Sequence, residues 1–233
     1  MKANYGLLKR IVLQVIIFLV SIIVGFDPMD LLPRFFLLST GAIATVLLAY
    51  SAEIDVRHAL EQKLKVEKRR FAELAIKNSL RDLINSLGTP LKARSFIYLK
   101  DTVTNKLKVV YQCGMDGSPD AELEFEQDCG WVWDVWKNQD PISGDLGILA
   151  KNYVINKWNL TKGQYRAIEA TGYKSFLYVP ICHPKHPDIT IGILGCDSTG
   201  SFLDTHLDTQ TACLVAYQFA AILSRYIVYG RLI

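Results

Sequence analysis

The chain has 233 residues, of which 50% are hydrophobic, and its formal net charge is +3 at pH 7. So small a positive charge, without a basic stripe interleaved with aromatic residues, argues against nucleic acid as a partner. The five cysteines form no CxxC pair and have no histidines at zinc spacing, so we expect no metal site and reduced, packed thiols.

Two uncharged apolar runs occupy the N-terminus, at residues 11–26 and 35–50. A helix needs about 20 apolar residues to cross a bilayer core of about 30 Å, and flanking leucines lengthen the runs to spans at 9–27 and 32–51. The sequence therefore predicts a transmembrane hairpin in residues 1–50. The alternatives are a buried helical hairpin of a soluble core and a signal peptide, and the second run argues against a signal peptide.

Basic residues flank the two runs on one side of the predicted hairpin. Lys2, Lys9 and Arg10 precede the first run, and six more lysines and arginines follow the second between residues 57 and 70. The connecting loop holds two aspartates and a single arginine. By the positive-inside rule, both termini are predicted to be cytoplasmic, in a protein that crosses the inner or plasma membrane twice and has the lipid bilayer as a partner.

A long helix is predicted to follow the hairpin, because residues 42–87 contain neither glycine nor proline. Four large apolar residues recur in it at steps of four, seven and three, which is coiled-coil spacing interrupted by Glu67. Small residues in the second run would also let two helices approach closely. We therefore expect a coiled-coil-like helical linker at 51–87 and a parallel homodimer. The apolar positions are Leu60, Leu64, Phe71 and Leu74, and the small ones are Gly41, Thr45 and Ala49.

Short strands and turns replace the long helix after residue 92. Alternating and continuous apolar runs predict a strand hairpin, a short third strand, a central helix, a further helix, two strong strands and a closing amphipathic helix. The hairpin strands lie at 94–101 and 106–113, the third strand at 122–125, and the central and further helices at 130–140 and 161–170. The two strong strands lie at 175–182 and 189–198, and the closing helix at 204–229.

The later part of this region resembles a GAF domain. The resemblance is carried by SFLYVPI, a short polar loop, IGILGCDS, Phe202 and a long apolar helix, while CGWVW and PISGD fit the central helix and the strand after it. It implies an α+β fold at 88–233, in which an antiparallel sheet carries the terminal helices on one face and a ligand pocket on the other. Such a domain is expected to act as a sensor.

Aromatic residues fall around the segments that line the pocket in this family, and aromatic walls suit a small planar ligand or a nucleotide. The ligand-binding residues that follow from the resemblance are Trp131, Asp134, Tyr153, Trp158 and Tyr173.

No catalytic residues are predicted. The signature of the cyclic-nucleotide phosphodiesterase version of the family is missing. The free methionine-sulfoxide reductases of this fold carry their catalytic cysteine in the stretch that corresponds to residues 146–172, where this chain has none. A thiol redox cycle needs both a nucleophile and a resolving thiol. Asp197 and Ser198 are expected to cap the end of a strand, because no general base accompanies the serine.

Several functions remain open for a sensor domain joined to membrane spans. The leading hypothesis is a membrane-anchored, non-enzymatic sensory module that binds a small ligand or partner and transmits binding along the helical linker. No kinase, cyclase, methyl-accepting or DNA-binding segment follows in this sequence, so a separate signalling partner protein is expected. The alternatives are a ligand-triggered, pore-forming or membrane-disrupting effector of the bacterial defence type and a ligand-free dimerisation scaffold.

Overall fold

The computed structural model describes residues 12–17, 19–20, 31–88 and 92–231, with the backbone alone at 31–41 and 231. Its contacts divide the chain into two units, Met1–Glu67 and Lys68–Ile233. Helix α1, Leu31–Leu87, has residues in both units. The predicted first span, residues 9–27, lies partly outside the described residues, and the described parts of it are helical. The predicted second span, 32–51, lies within α1.

The first unit exposes large apolar side chains. Ile43, Val46, Leu47 and Tyr50 of α1 are each more than half exposed. Among the described residues, however, the one stretch long and apolar enough to cross a membrane is Gln210–Gly230, in the second unit. Two membrane-crossing helices are therefore not shown.

The second unit is built on a six-stranded antiparallel sheet with the strand order β3-β2-β1-β6-β5-β4. The strands are β1 Ala93–Lys100, β2 Leu107–Cys113, β3 Glu124–Phe125, β4 Ile142–Asp145, β5 Ser175–His183 and β6 His186–Ser198. The accompanying helices are α2 Trp131–Asn138, α3 Lys151–Lys157, α4 Lys162–Ala170, α5 Phe202–Thr205 and α6 Gln210–Arg231. The predicted α+β class and antiparallel sheet flanked by helices are confirmed.

The sheet separates two hydrophobic cores, because successive side chains of a strand point to opposite faces. One face packs against α2 and the segments around α3 and α4, and its core includes Phe96, Trp131 and Tyr178. The other face packs against the end of α1 and against α6, and its core includes Leu80, Ile97 and Leu223. The stretch Gln210–Gly230 thus contributes buried residues to the core of the second unit.

Several elements differ from the prediction. The third strand shortens to the two residues of β3, and helix α3 was not predicted. Strand β6 begins at His186, because His183 pairs with His186 and reduces the predicted polar loop to a tight turn. The closing helix is two helices, since His206 adopts a left-handed conformation, with φ of 53°, and ends α5.

Candidate functional site

Arg94 is the centre of a buried charged cluster on the α2 side of the sheet. The residue is 1% exposed, although it carries a guanidinium. Its Nε donates to Asp197 Oδ2 at 3.1 Å and its Nη2 donates to the same oxygen at 2.6 Å. Its Nη1 donates to Ser118 Oγ at 2.8 Å and to Asp120 Oδ1 at 2.7 Å, and Nη2 also donates to Asp120 Oδ2.

The two carboxylates determine the electrostatics of this cluster. Burial alone would lower the pKa of Arg94, but Asp197 and Asp120 outweigh it and hold that pKa above its ordinary value. Burial raises the pKa of Asp197 to about 6, against the opposing effect of the Arg94 guanidinium. Arg94 therefore remains charged at neutral pH, and Asp197 titrates unusually close to neutrality.

A small cavity adjoins the cluster. Its volume is about 10 Å³, which is about the room of one water molecule. Half-buried residues such as Leu146, Thr171 and Tyr173 form its rim, and the Tyr173 ring lies 4.0 Å from Arg94 Cζ. The deeper walls are Arg94, Tyr98, Asp120, Phe125, Trp131, Ser175, Phe176, Tyr178 and Asp197.

Two buried polar atoms at the cavity have no hydrogen-bond partner among the described residues. One is Oδ1 of Asp197, in a side chain that is 8% exposed. The other is Nε1 of Trp131, which lies near the Tyr178 hydroxyl without forming a hydrogen bond of full geometry. Buried polar atoms without a partner are uncommon in folded proteins, so they mark this cavity as a place where a further molecule can bind.

The tyrosines of the cavity remain neutral. Burial raises the pKa of Tyr98 and of Tyr178, and the charge of Asp197 adds to the effect at both. Burial likewise raises the pKa of Tyr173, while Arg94 opposes it. Their hydroxyl groups are therefore donors and acceptors rather than anions at physiological pH.

The predicted ligand-binding residues separate into three groups. Trp131 and Tyr173 line the cavity. Trp158 is buried and packs edge-on against Trp131, with ring centroids 5.2 Å apart. Tyr153 is 49% exposed, and neither it nor Asp134 is among the lining residues. Whether any of the five contacts a ligand stays a prediction.

Sequence reasoning missed the charged cluster. Asp197 does not cap a strand end as expected but pairs with Arg94, whereas Ser198 Oγ does accept from the Gly200 N–H at 3.3 Å. The partners of Arg94 lie 26 and 103 residues away in sequence. The available signal was a charged residue at the start of an apolar strand, RSFIYL, matched by an aspartate at the end of another, GILGCD.

Two buried cysteines of the second unit are shifted away from the thiolate form. Burial raises the pKa of Cys196 above its ordinary value and also raises that of Cys129. The Cys129 thiol lies 3.2 Å from the carbonyl oxygen of Asn159 and 3.4 Å from Oε1 of Gln164, both of which are hydrogen-bond acceptors. Reactive cysteines instead have lowered pKa values in electropositive surroundings.

Comparisons with known proteins define the fold. No protein-family model and no curated protein matches the chain. Among solved structures, the chain is similar to the GAF domain region of a Geobacter sulfurreducens PCA protein described as a membrane protein. The two are 16% identical with a TM-score of 0.52, over 70% of this chain and 96% of the other.

Residues 122 to 287 of a methyl-accepting chemotaxis protein are also similar, at 22% identity and a TM-score of 0.50, over 69% of this chain and 91% of that one. A type II free methionine-R-sulfoxide reductase from Thermoplasma acidophilum, at 14% identity, has a TM-score of 0.48 over 69% and 94% of the two chains. The sheet and helices that surround the Arg94 cluster therefore have the GAF fold.

Proposed function

We propose that the protein is a membrane-anchored, non-enzymatic sensory module. In this proposal the GAF-fold unit binds a small ligand at the Arg94 cavity and acts as a homodimer. Helix α1 transmits the bound state to the membrane or to a separate signalling partner. Because transmission requires a ligand with different affinities for two states, the cavity and α1 have to be physically coupled.

The observation that carries the proposal is a buried hydrogen bond between β1 and α1. Ser95 Oγ donates to the carbonyl oxygen of Leu80 at 2.8 Å. Its neighbour in the strand is Arg94, which lies in the wall of the cavity. A ligand that shifts Arg94 would move the adjacent residue and thereby the helix to which it is bonded.

Membrane anchoring is supported by the apolar surface of α1. Ile43, Val46, Leu47 and Tyr50 are more than half exposed, and large contiguous apolar patches are rare on soluble monomers. The charge distribution in the sequence supports two spans with both termini in the cytoplasm.

Dimerisation is supported by the coiled-coil positions of α1. Leu60, Leu64, Phe71 and Leu74 are 60%, 55%, 61% and 58% exposed. On a helix with about 100° per residue, they form a stripe about 150° away from Ala72, Ile76, Leu80 and Leu83, which are buried. The exposed stripe is therefore available to a second copy of the chain.

A ligand-free dimerisation scaffold is the second candidate function. It is favoured by the volume of the cavity, about 10 Å³, which is much smaller than an ordinary ligand pocket of about 300–1,000 Å³. In this alternative the aromatic residues act as core and the cavity holds only water.

Native mass spectrometry of the full-length protein, extracted gently in detergent, tests the proposal. We expect two copies of the chain and a reproducible additional mass of a small molecule. In Leu64→Lys the dimer should dissociate while each monomer keeps the additional mass, since this residue lies on the stripe and outside the cavity. Dimers that never carry additional mass would favour the scaffold, and large ring-like oligomers would favour a membrane effector.

A further inference from the structure

The hydrogen-bonding capacity of the cluster restricts what the cavity can bind. A guanidinium has five N–H donors, and all five of Arg94 are used within the protein. Both oxygens of Asp120 also have partners within the protein, because Oδ1 accepts from Arg94 and Ser118 and Oδ2 accepts from Arg94. The cluster therefore has no free donor of its own, and its oxygen without a partner among the described residues is Oδ1 of Asp197, a residue that lines the cavity.

The charge of the cluster also favours a ligand that is positively charged. One guanidinium is paired with two carboxylates, so ionised Asp120 and Asp197 leave one negative charge in excess. A charge counts for more in a buried site than in water.

We propose that the Arg94 cavity binds the protonated nitrogen head group of a small amine, with an N–H donating to Oδ1 of Asp197. This inference rests on the proposed ligand-binding function and names the chemical class of the ligand. It argues against nucleotides and other anions as ligands of the Arg94 cluster, because Arg94 has no donor left for a phosphate and the excess charge would repel one, even though Nε1 of Trp131 remains a free donor.

The size of the cavity fits the head group alone. Its volume of about 10 Å³ corresponds to about one water molecule, and an ammonium group has nearly the dimensions of water. The substituent of the amine would then extend past the half-buried rim at Leu146, Thr171 and Tyr173.

Isothermal titration of the full-length protein in detergent tests the charge requirement with three probes of matched chain length. The probes are n-butylammonium chloride, 1-butanol and sodium butyrate, at constant ionic strength. We expect the Kd of n-butylammonium to be at least tenfold lower than that of either other probe. Equal affinities, tighter binding of butyrate, or no binding of n-butylammonium would overturn the inference.

The substitution Asp197→Asn keeps the shape of the side chain and removes its charge, so it should weaken n-butylammonium binding at least tenfold. The matched control is Asp208→Asn, an exposed carboxylate outside the cavity, which should leave the Kd unchanged. Equal weakening in both variants would show that the net charge of the chain, and not the cavity, attracts the probe.

The pH dependence of the unaltered protein tests the site without any substitution. The charged and titratable groups that face Asp197 are Arg94, Asp120, Tyr98, Tyr173 and Tyr178. Because burial raises the pKa of Asp197 to about 6, binding of n-butylammonium should weaken as the pH falls below that value, while an alkylammonium stays protonated. Affinity that stays constant between pH 7 and pH 5 would contradict the site.

The two proposals fail in different ways. If native mass spectrometry finds a retained anion or neutral molecule and n-butylammonium does not bind, the amine inference is wrong and the sensory function stands. If no small molecule is retained but n-butylammonium binds in an Asp197-dependent manner, the cavity has the inferred chemistry and the amine was lost during extraction.

Discussion

Replacing Arg94 with lysine would destabilise the folded protein, because the planar guanidinium of Arg94 donates to two carboxylates and a hydroxyl at the same time. A lysine has three N–H donors on one nitrogen and cannot span both carboxylates. Buried ion pairs are strongly destabilised when one partner is removed, since the remaining charge is left without compensation. Here the removal of one side chain would leave two such charges.

Arg94→Met is therefore expected to lower the free energy of unfolding by about 3–5 kcal/mol. Urea unfolding of the full-length protein, followed by tryptophan fluorescence, measures this loss, because all four tryptophans lie between residues 131 and 158 of the GAF-fold unit. The control Arg166→Met changes an exposed arginine of α4 and should leave the unfolding curve unchanged. Similar curves for the two variants would contradict the structural role of Arg94.

Asp197 also makes the stability depend on pH. Its ordinary pKa is 3.8, and in the folded protein it rises to about 6, so between these values the folded state holds a proton that the unfolded state has released. This stabilisation is complete below about pH 4 and is lost as the pH rises through 6.

The rise in the pKa of Asp197 from 3.8 to about 6 corresponds to about 3 kcal/mol of unfolding free energy. We therefore expect the difference in unfolding free energy between the natural protein and Asp197→Asn to fall by about that amount from pH 4 to pH 7. If the two stability curves run parallel over this range, Asp197 is not the group that titrates.

At the scale of elements, local sequence patterns predicted the strands and helices whose formation depends on residues close together in the chain. The hairpin of β1 and β2 and the strands β5 and β6 follow from runs such as SFLYVPIC, and the sequence around Trp131 has helical periodicity. The third strand was predicted at 122–125 and is the two residues of β3, whereas helix α3 was not predicted, because its seven residues carry too little helical periodicity. The Arg94 cluster could not be predicted either, because the pairing of β1 with β6 brings Asp197 to Arg94 and the connection between β2 and β3 brings Asp120 there.

The close approach of β6 to two rings predicts a specific cost at Gly195. A Cβ atom there would lie 2.8 Å from Cζ of Phe96 and 2.8 Å from Cε1 of Tyr178. Gly195→Ala should therefore destabilise the unit by about 1–3 kcal/mol through overpacking. Gly163→Ala, in α4 where the nearest atom is 3.9 Å away, should be neutral or stabilising. Equal unfolding midpoints for the two variants would show that the rings of Phe96 and Tyr178 move aside without destabilising the unit.

The exposed stripe of α1 predicts a position-specific effect on assembly. A charge at Leu64 would lie at a predicted coiled-coil core position, so Leu64→Lys should weaken the proposed homodimer at least tenfold in sedimentation equilibrium. Val66→Lys introduces the same charge on the same helix at a residue that is 65% exposed but lies off the stripe. Dissociation of both variants would indicate a general charge effect.

At the scale of the whole molecule, the predicted topology places the loop between the spans outside the cell. All five cysteines lie at or beyond residue 113, on the predicted cytoplasmic side. A membrane-impermeant maleimide added to intact cells should therefore label Asp30→Cys and leave the natural protein unlabelled, while both should react after permeabilisation. Labelling of the natural protein in intact cells would show that the cysteine-containing part lies outside the cell, which contradicts the predicted topology.

The alternation of side chains along β1 has an evolutionary consequence. Arg94, Phe96 and Tyr98 belong to the cavity side, whereas Ser95, Ile97 and Leu99 belong to the side that packs against the end of α1 and against α6. If the unit senses a ligand as proposed, mutations at the first set would change the cavity without changing the side that packs against α1 and α6. Under that proposal, descendants of this protein would exchange one chemical stimulus for another and keep the same route of transmission.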